Sequence, residues 1–356
     1  MSTGIIVINF GEPAEPDLDQ VVSFLERIFI SSGLERSADP EAYRAHARTL
    51  AERRAPGLLR EYERIGGSPL NPQADGQAAR LGEELRSRGH DAECYSAFQF
   101  MPPFVEDVVG RARSEGKERI VGLPVYPLCG HSTTVAALEQ LRDAIDEEDG
   151  WDPDVVELGG WHMHPDFFDF HADHILGYAN REAIDLSDPG TAFLFSIHGT
   201  PLTYLEGGNR YDRYVEEACE GIAARLGLRR YHMGYQNHTN RAIEWTQPDV
   251  EVVLKGLEAE RVVVMPLAFM HEQSETLVEL DHELREEAID AGLEFHRVPV
   301  PHDSPRFISI LADLVEAGIA DDTEGARVSL RRCLCRRGGT ARCTNGIRLT
   351  STVVRG

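Results

Sequence analysis

The sequence predicts an α/β protein of two lobes, each a four-stranded parallel sheet flanked by helices. Two observations carry this. Short apolar runs alternate with helix-length amphipathic segments along the chain, the pattern of parallel strands joined by crossover helices. The runs fall into two sets of four within 356 residues, a length that supports two full cores.

The first set lies at 4–10, 92–98, 120–126 and 155–160, the second at 192–198, 231–236, 261–267 and 294–300. These runs are short and apolar, as strands buried on both faces must be. Helices are expected over 19–29, 73–87, 103–114, 133–146, 211–226, 275–291 and 304–317. The stretch 41–65 is also helical but densely charged, so it covers or rims something rather than forming core. The acids at 321–325 read as a linker. The expected organisation is a first lobe of 1–160 completed by a C-terminal helix within 301–325. A second lobe of 161–300 and a basic, cysteine-containing tail of 326–356 complete it.

The net charge of −24 conceals an asymmetry. Eight arginines (327, 331, 332, 336, 337, 342, 348 and 355) and no acid follow position 325, which leaves −32 on residues 1–325. An acidic body opposes a nucleic-acid-binding role and favours solubility. The basic tail can meet nucleic acid or lie on its own acidic body, and no nucleic-acid partner is expected. No apolar run approaches the 18 or so residues of a membrane span. The first residues enter a strand without a basic region or cleavage site, so a cytoplasmic location and no stable membrane insertion are expected. No G-x-G-x-x-G follows a strand, and G-x-S-x-G is absent. Dinucleotide chemistry and a hydrolase elbow therefore have no support.

Three constellations can carry chemistry. His198 ends an apolar strand just before Gly199-Thr200-Pro201, where ligands of open α/β sheets sit. A histidine there is either hydrogen-bonded to a loop or available as a base near neutral pH. Glu275, Glu279 and Glu283, spaced four apart, share one face of a helix that follows a buried strand. That row is either a solvated face or a series of oxygen ligands for a hydrated divalent cation, with His271 and Glu272 on the same path. In the tail, Cys333, Cys335 and Cys343 supply three thiols, and Cys129, just past a first-lobe strand, is the natural fourth. Four such ligands fit a [2Fe–2S] cluster or a structural zinc, with His131 as a substitute ligand; otherwise the cysteines are incidental to an arginine-rich tail.

A series of motifs, in order over about residues 4–318, resembles the ferrochelatases. Asn9-Phe10-Gly11-Glu12-Pro13 is similar to their asparagine-leucine-glycine-threonine-proline opening, and Gly66-Gly67-Ser68-Pro69-Leu70 to their glycine-glycine-serine-proline-leucine segment. Tyr126-Pro127 with Ser132-Thr133-Thr134 is similar to their third-strand loop. Ser196-Ile197-His198-Gly199-Thr200-Pro201 resembles the loop of the catalytic histidine, and Ser274-Glu275-Thr276-Leu277 through Asp281 the helix of the catalytic glutamate.

The resemblance implies Rossmann-like, chelatase-like lobes and insertion of Fe(II), as substrate, into a porphyrin on the way to haem, a lyase reaction. On that carry-over His198 and Glu275 are the catalytic pair, and His198, Glu275, Glu279 and Glu283 handle the metal. Phe10, Tyr126, Ser132, Thr133 and Trp245 contact the porphyrin. Some members also carry a [2Fe–2S] cluster on C-terminal cysteines plus one internal cysteine, a plan that Cys129, Cys333, Cys335 and Cys343 resemble.

The chain departs from the family at several places. His271-Glu272-Gln273 replaces a serine-aspartate-histidine, Gln99-Phe100-Met101 replaces an arginine, and Tyr235-Gln236-Asn237-His238 lacks a serine-arginine pair. Cys129 stands two places from the expected internal ligand. The lip at 35–64 carries Arg44, Arg48, Glu52, Arg53, Arg54, Arg60, Glu61, Glu63 and Arg64, where an apolar lip suits a membrane-drawn substrate. Arginines there suit the four carboxylates of coproporphyrin III, which is favoured over protoporphyrin IX. The rival readings are a chelatase for another metal and tetrapyrrole, such as cobalt or nickel in a sirohydrochlorin-like ring, and a non-catalytic porphyrin carrier.

Overall fold

The computed structural model describes residues 1–33, 39–237, 243–320, 327–335, 339–344 and 354–355. The expected linker at 321–325, lip positions 35–38, His238, Arg336, Arg337 and Arg348 lie outside the described residues.

In the first half, β1 (Thr3–Asn9), β2 (Ala92–Phe98), β3 (Arg119–Pro124) and β4 (Asp154–Glu157) form a parallel sheet in the order β2-β1-β3-β4. Every residue of β1 is buried, because helices cover both faces of a central parallel strand. The helices are α1 (Leu18–Gly33), α2 (Pro40–Ile65), α3 (Leu70–Ser87), α4 (Val105–Ser114) and α5 (Ala136–Asp146). A single π-turn at His131–Val135 opens α5, where the sequence shows only the helix. All of the charged 41–65 stretch lies in α2, started by Asp39 accepting from Ala42 N at 3.0 Å and stopped by Gly66 at φ +76°. It buries only Ala47, Ala51, Ala55 and Tyr62, a narrow stripe that lies against α1.

In the second half, α6 (Phe167–Arg181) precedes β5 (Thr191–His198), α7 (Leu202–Glu206), α8 (Tyr211–Leu226), β6 (Arg230–Gln236), α9 (Val250–Lys255) and β7 (Arg261–Pro266). A π-helix at Glu275–Leu284 then runs into α10 (Arg285–Asp290) and β8 (Glu294–Arg297). The strands order β6-β5-β7-β8, and β11 (Val354–Arg355) from the tail adds a fifth, parallel strand outside β6. After β8, Pro299 and Pro301 remove the N–H groups a longer strand needs, so the expected 294–300 strand stops early.

The last long helix, α11 (Pro305–Ile319), returns to pack on α3 and on β3 and β4. One hydrophobic cluster runs from Ile5–Ile8 of β1 through Trp161 and Phe307 to Phe195 of β5, joining the two sheets. The tail contributes a hairpin, β9 (Arg331–Arg332) with β10 (Arg342–Cys343), laid against the body. Gly159 N donates to Arg342 O at 2.7 Å and Thr344 N to Gly160 O at 3.2 Å. Arg327 pairs with Asp166 and, at 3.2 Å, with Asp313, so this tail arginine rests on the acidic body. No described helix is long and apolar enough to cross a membrane.

Candidate active site

The carboxyl ends of the second sheet bring the histidine and the glutamate row together. β5 ends at His198, in register with Gln236 at the end of β6. Gly199 is required next: a Cβ there would lie 1.7 Å from Asn237 Oδ1, and its N–H donates to Gln236 O at 2.8 Å. β7 leads through Leu267–Gln273 to the π-helix, whose first residue places Glu275 Oε1 3.1 Å from His198 Nε2. The His198 carbonyl accepts from Tyr211 Oη at 3.0 Å, and the Trp245 ring centre lies 6.2 Å from the imidazole.

Burial opposes charge on His198, but Glu275 beside it and Glu279 behind it outweigh burial and push its pKa up to about 9. Glu279 is raised to about 8 by burial and by the neighbouring Glu275, with Gln236 acting against the shift. Near neutral pH both groups therefore favour the protonated form, His198 as an imidazolium beside Glu275 and Glu279 as the neutral acid. Gln236 is the hinge of this group. Its Nε2 donates to Glu279 Oε2 and to Glu275 O, both at 2.9 Å, and its Oε1 accepts from Ser196 at 2.9 Å.

Glu283, the third member of the row, is exposed and lies with Glu279 along a cleft of about 360 Å³. Asp249, Glu251 and Glu287 line the same cleft, which the sequence reading missed because they come from separate elements. Glu61 of α2 reaches the field of Glu283 and is raised by burial and by that charge. His271 is not on this path: burial holds it neutral, with a pKa near 3, and its Nε2 lies 2.7 Å from Gln77 Oε1. Glu272 is likewise engaged elsewhere, with Arg297 at 2.6 Å and Val300 N at 2.8 Å.

The first sheet faces this group with its own strand ends. Phe10 follows β1 and packs on Phe24 and Phe100, at ring separations of 6.0 and 4.5 Å. Tyr126, past β3, donates to Gln99 Oε1 at 2.8 Å, and burial with the charge of Glu275 raises its phenol. Ser132 and Thr133 lie in the π-turn, Ser132 exposed. Gly130 ahead of it leaves room for Thr133 Oγ1, which would stand 2.6 Å from any Cβ.

The four cysteines also converge. The sulfurs of Cys129, Cys333 and Cys335 lie within 4.8 Å of one another, with Cys129 and Cys333 3.8 Å apart. Cys343 is buried and interacts with Cys333, and no cysteine forms a disulfide. Hydrogen bonds from its three neighbours lower the Cys333 thiol, whereas those to Cys333 and Cys335 raise Cys129. Tyr214 Oη lies 3.2 Å from Cys335 Sγ. The expected substitute ligand His131 instead stacks on Tyr204, ring centres 4.1 Å apart.

Comparisons with known proteins bear on the fold and the family. Two solved chelatase structures share the fold. CbiX, described as the terminal enzyme of siroheme biosynthesis in denitrifying bacteria, superposes with a TM-score of 0.52 at 16% identity, over 90% of this chain and 100% of that one. SirB from Bacillus subtilis with Fe3+ gives 0.52 at 11% identity, over 92% and 99%. A ferrochelatase of Synechococcus sp. (strain RCC307) is 35% identical over 328 residues, 89% of this chain and 82% of its own. Another, from Synechococcus sp. (strain JA-3-3Ab), is 35% identical over 327 residues, covering 88% and 92%. The ferrochelatase family model matches residues 2–319. The chain belongs to the ferrochelatase family.

Proposed function

We propose that this protein inserts Fe(II) into a porphyrin, with His198 and Glu275 exchanging metal for protons at the ring centre. The observation that carries the reading is the His198–Glu275 contact at 3.1 Å, backed by Glu279 and open to an acidic cleft. Insertion requires that the cation lose water and that two pyrrole N–H protons leave. Glu283 and Glu279 offer oxygens that replace water in steps. An arriving dication stabilises the deprotonated forms of Glu279 and His198 and expels the protons they hold. Once the metal passes to the ring, the same two groups regain their raised affinity for protons and accept those from the pyrroles. Phe10, Tyr126, Ser132, Thr133 and Trp245 hold the macrocycle between the lobes in this reading.

The substrate we favour is coproporphyrin III over protoporphyrin IX. Support comes from α2, where Arg44, Arg48, Arg53, Arg54, Arg60 and Arg64 are exposed, Arg48 pairing with Glu26 and Glu52 and Arg64 with Glu286. Such a surface does not enter lipid and suits a tetracarboxylate. The test is anaerobic incubation with Fe(II) and each porphyrin, following loss of the free-porphyrin bands. Turnover of coproporphyrin exceeding that of protoporphyrin is expected, and the reverse order refutes the preference. A carrier would shift the bands without inserting metal. His198→Ala should abolish insertion while porphyrin binding persists; retained turnover removes the histidine from the mechanism.

Four thiols with this spacing fit a [2Fe–2S] cluster, which we assign to Cys129, Cys333, Cys335 and Cys343. Protein prepared without oxygen is then coloured and carries about two irons per chain. A colourless protein with one zinc places a structural zinc there instead.

A further inference from the structure

The loop at 270–274, which delivers Glu275, is held by the opposite lobe. Gln77 Nε2 donates to Met270 O at 2.9 Å, and Glu272 N donates to Gln73 Oε1 at 2.9 Å. The last tie is a carboxylate. Glu12, 4% exposed, accepts from Ser274 N at 3.0 Å and from Ser274 Oγ at 2.5 Å, and from Ser68 Oγ at 2.5 Å. Its own backbone is pinned by Asn71, which accepts from Glu12 N at 3.0 Å and donates to Glu12 O at 2.9 Å.

Two motifs exist to make this tie. Gly67, at φ +95°, lets the 12–15 loop approach so closely that a Cβ would fall 2.0 Å from Ala14 O. That approach brings Ser68 onto the Glu12 carboxylate, and Ser68 N donates to Pro13 O at 3.1 Å. Burial raises the Glu12 pKa, and the three donors from Ser274 and Ser68 act against that rise. The tie also puts a hydrogen-bond acceptor on the backbone N–H of Ser274, at the start of a helix. Where the ferrochelatase opening carries threonine, this chain carries glutamate, whose carboxyl group reaches Ser274.

We propose that Glu12 is a positioning residue for Glu275: it clamps the first turn of the π-helix to the opposite lobe and so sets where the Glu275 carboxylate meets His198 and the ring. The inference rests on the reading of Glu275 as the carboxylate of metal insertion. Glu12→Gln keeps the shape and replaces one acceptor oxygen by an NH2 donor; Ser274→Ala removes one partner from the other side.

Each variant, as full-length protein, is assayed for kcat and for the KM of porphyrin, alongside the double variant and Glu275→Gln. A misplaced group costs about 10- to 100-fold in rate, so kcat should fall by that order in Glu12→Gln while porphyrin KM stays within about twofold. Because both substitutions break one tie, the double variant should be no slower than the slower single. Wild-type kcat in Glu12→Gln, losses that multiply in the double variant, or a porphyrin KM that rises in step with the loss of kcat would each overturn the proposal. Should Glu12→Gln not fold, Ser274→Ala decides by the same kcat criterion. Full turnover in Glu275→Gln would overturn the underlying reading. An inactive Glu275→Gln beside a fully active Glu12→Gln sinks the positioning role alone.

Discussion

His198 and Glu279 are each held with a proton that the unfolded chain would release earlier, so their titration reports on stability. The His198 pKa rises from 6.5 to about 9, and that of Glu279 from 4.5 to about 8. The contribution of protonated His198 is complete below pH 6.5 and is lost as pH rises through about 9. Buried Glu279 costs little while neutral and becomes a growing penalty as pH climbs from 4.5 to about 8. Both signs agree: metal-free protein should lose stability between pH 6.5 and 8, and Glu279→Gln should flatten the fall. Urea denaturation at several pH values checks this; a slope unchanged by the substitution refutes it. Residues of this kind were legible where the strand and helix patterns exposed them. Gln236 was not, since only strand register reveals that it stands level with His198. Glu12 was hidden as well, because its partner is 262 positions away.

At the scale of elements, strands were the readable part. Strands buried on both faces show as apolar runs, as in β1, β3 and β7, and the eight strands expected from sequence appear as β1 to β8. Their ends were less readable. β4 stops at Glu157 because Gly159 and Gly160 turn beneath the tail, where a Cβ on Gly160 would lie 2.9 Å from Cys129 Cβ. The π-geometry of Glu275–Leu284 left no mark, since the apolar spacing reads as an ordinary helix. Glycines separate by role at this scale. Gly67→Ala should destabilise by about 3 kcal/mol or more, through positive φ and the clash with Ala14 O. Gly57→Ala, inside α2 with nothing within 4 Å of the new methyl, should stabilise by roughly 0.5–1 kcal/mol. Thermal melts that rank the two the other way would refute the packing argument.

For the whole molecule, the cysteine tail is the piece that composition announced without placing. Its arginines and thiols were visible, but nothing in one sequence says that Arg327, Arg342 and Thr344 meet Asp313, Gly159 and Gly160. Ending the chain at 320 exposes Cys129 and the side of α8 that Tyr214 occupies. Such a truncation should lower the melting temperature and reduce metal insertion without altering porphyrin affinity. Equal turnover in the shortened chain would show that the tail is dispensable to the reaction.

Tyr211 and Tyr214 sit within the opening turn of α8, one touching the His198 carbonyl and the other the Cys335 sulfur. A single turn of helix is too short and stiff to absorb a displacement at either end. Displacement of the sulfurs by thiol oxidation is therefore expected to be felt at the imidazole, and turnover measured before and after oxidation checks it.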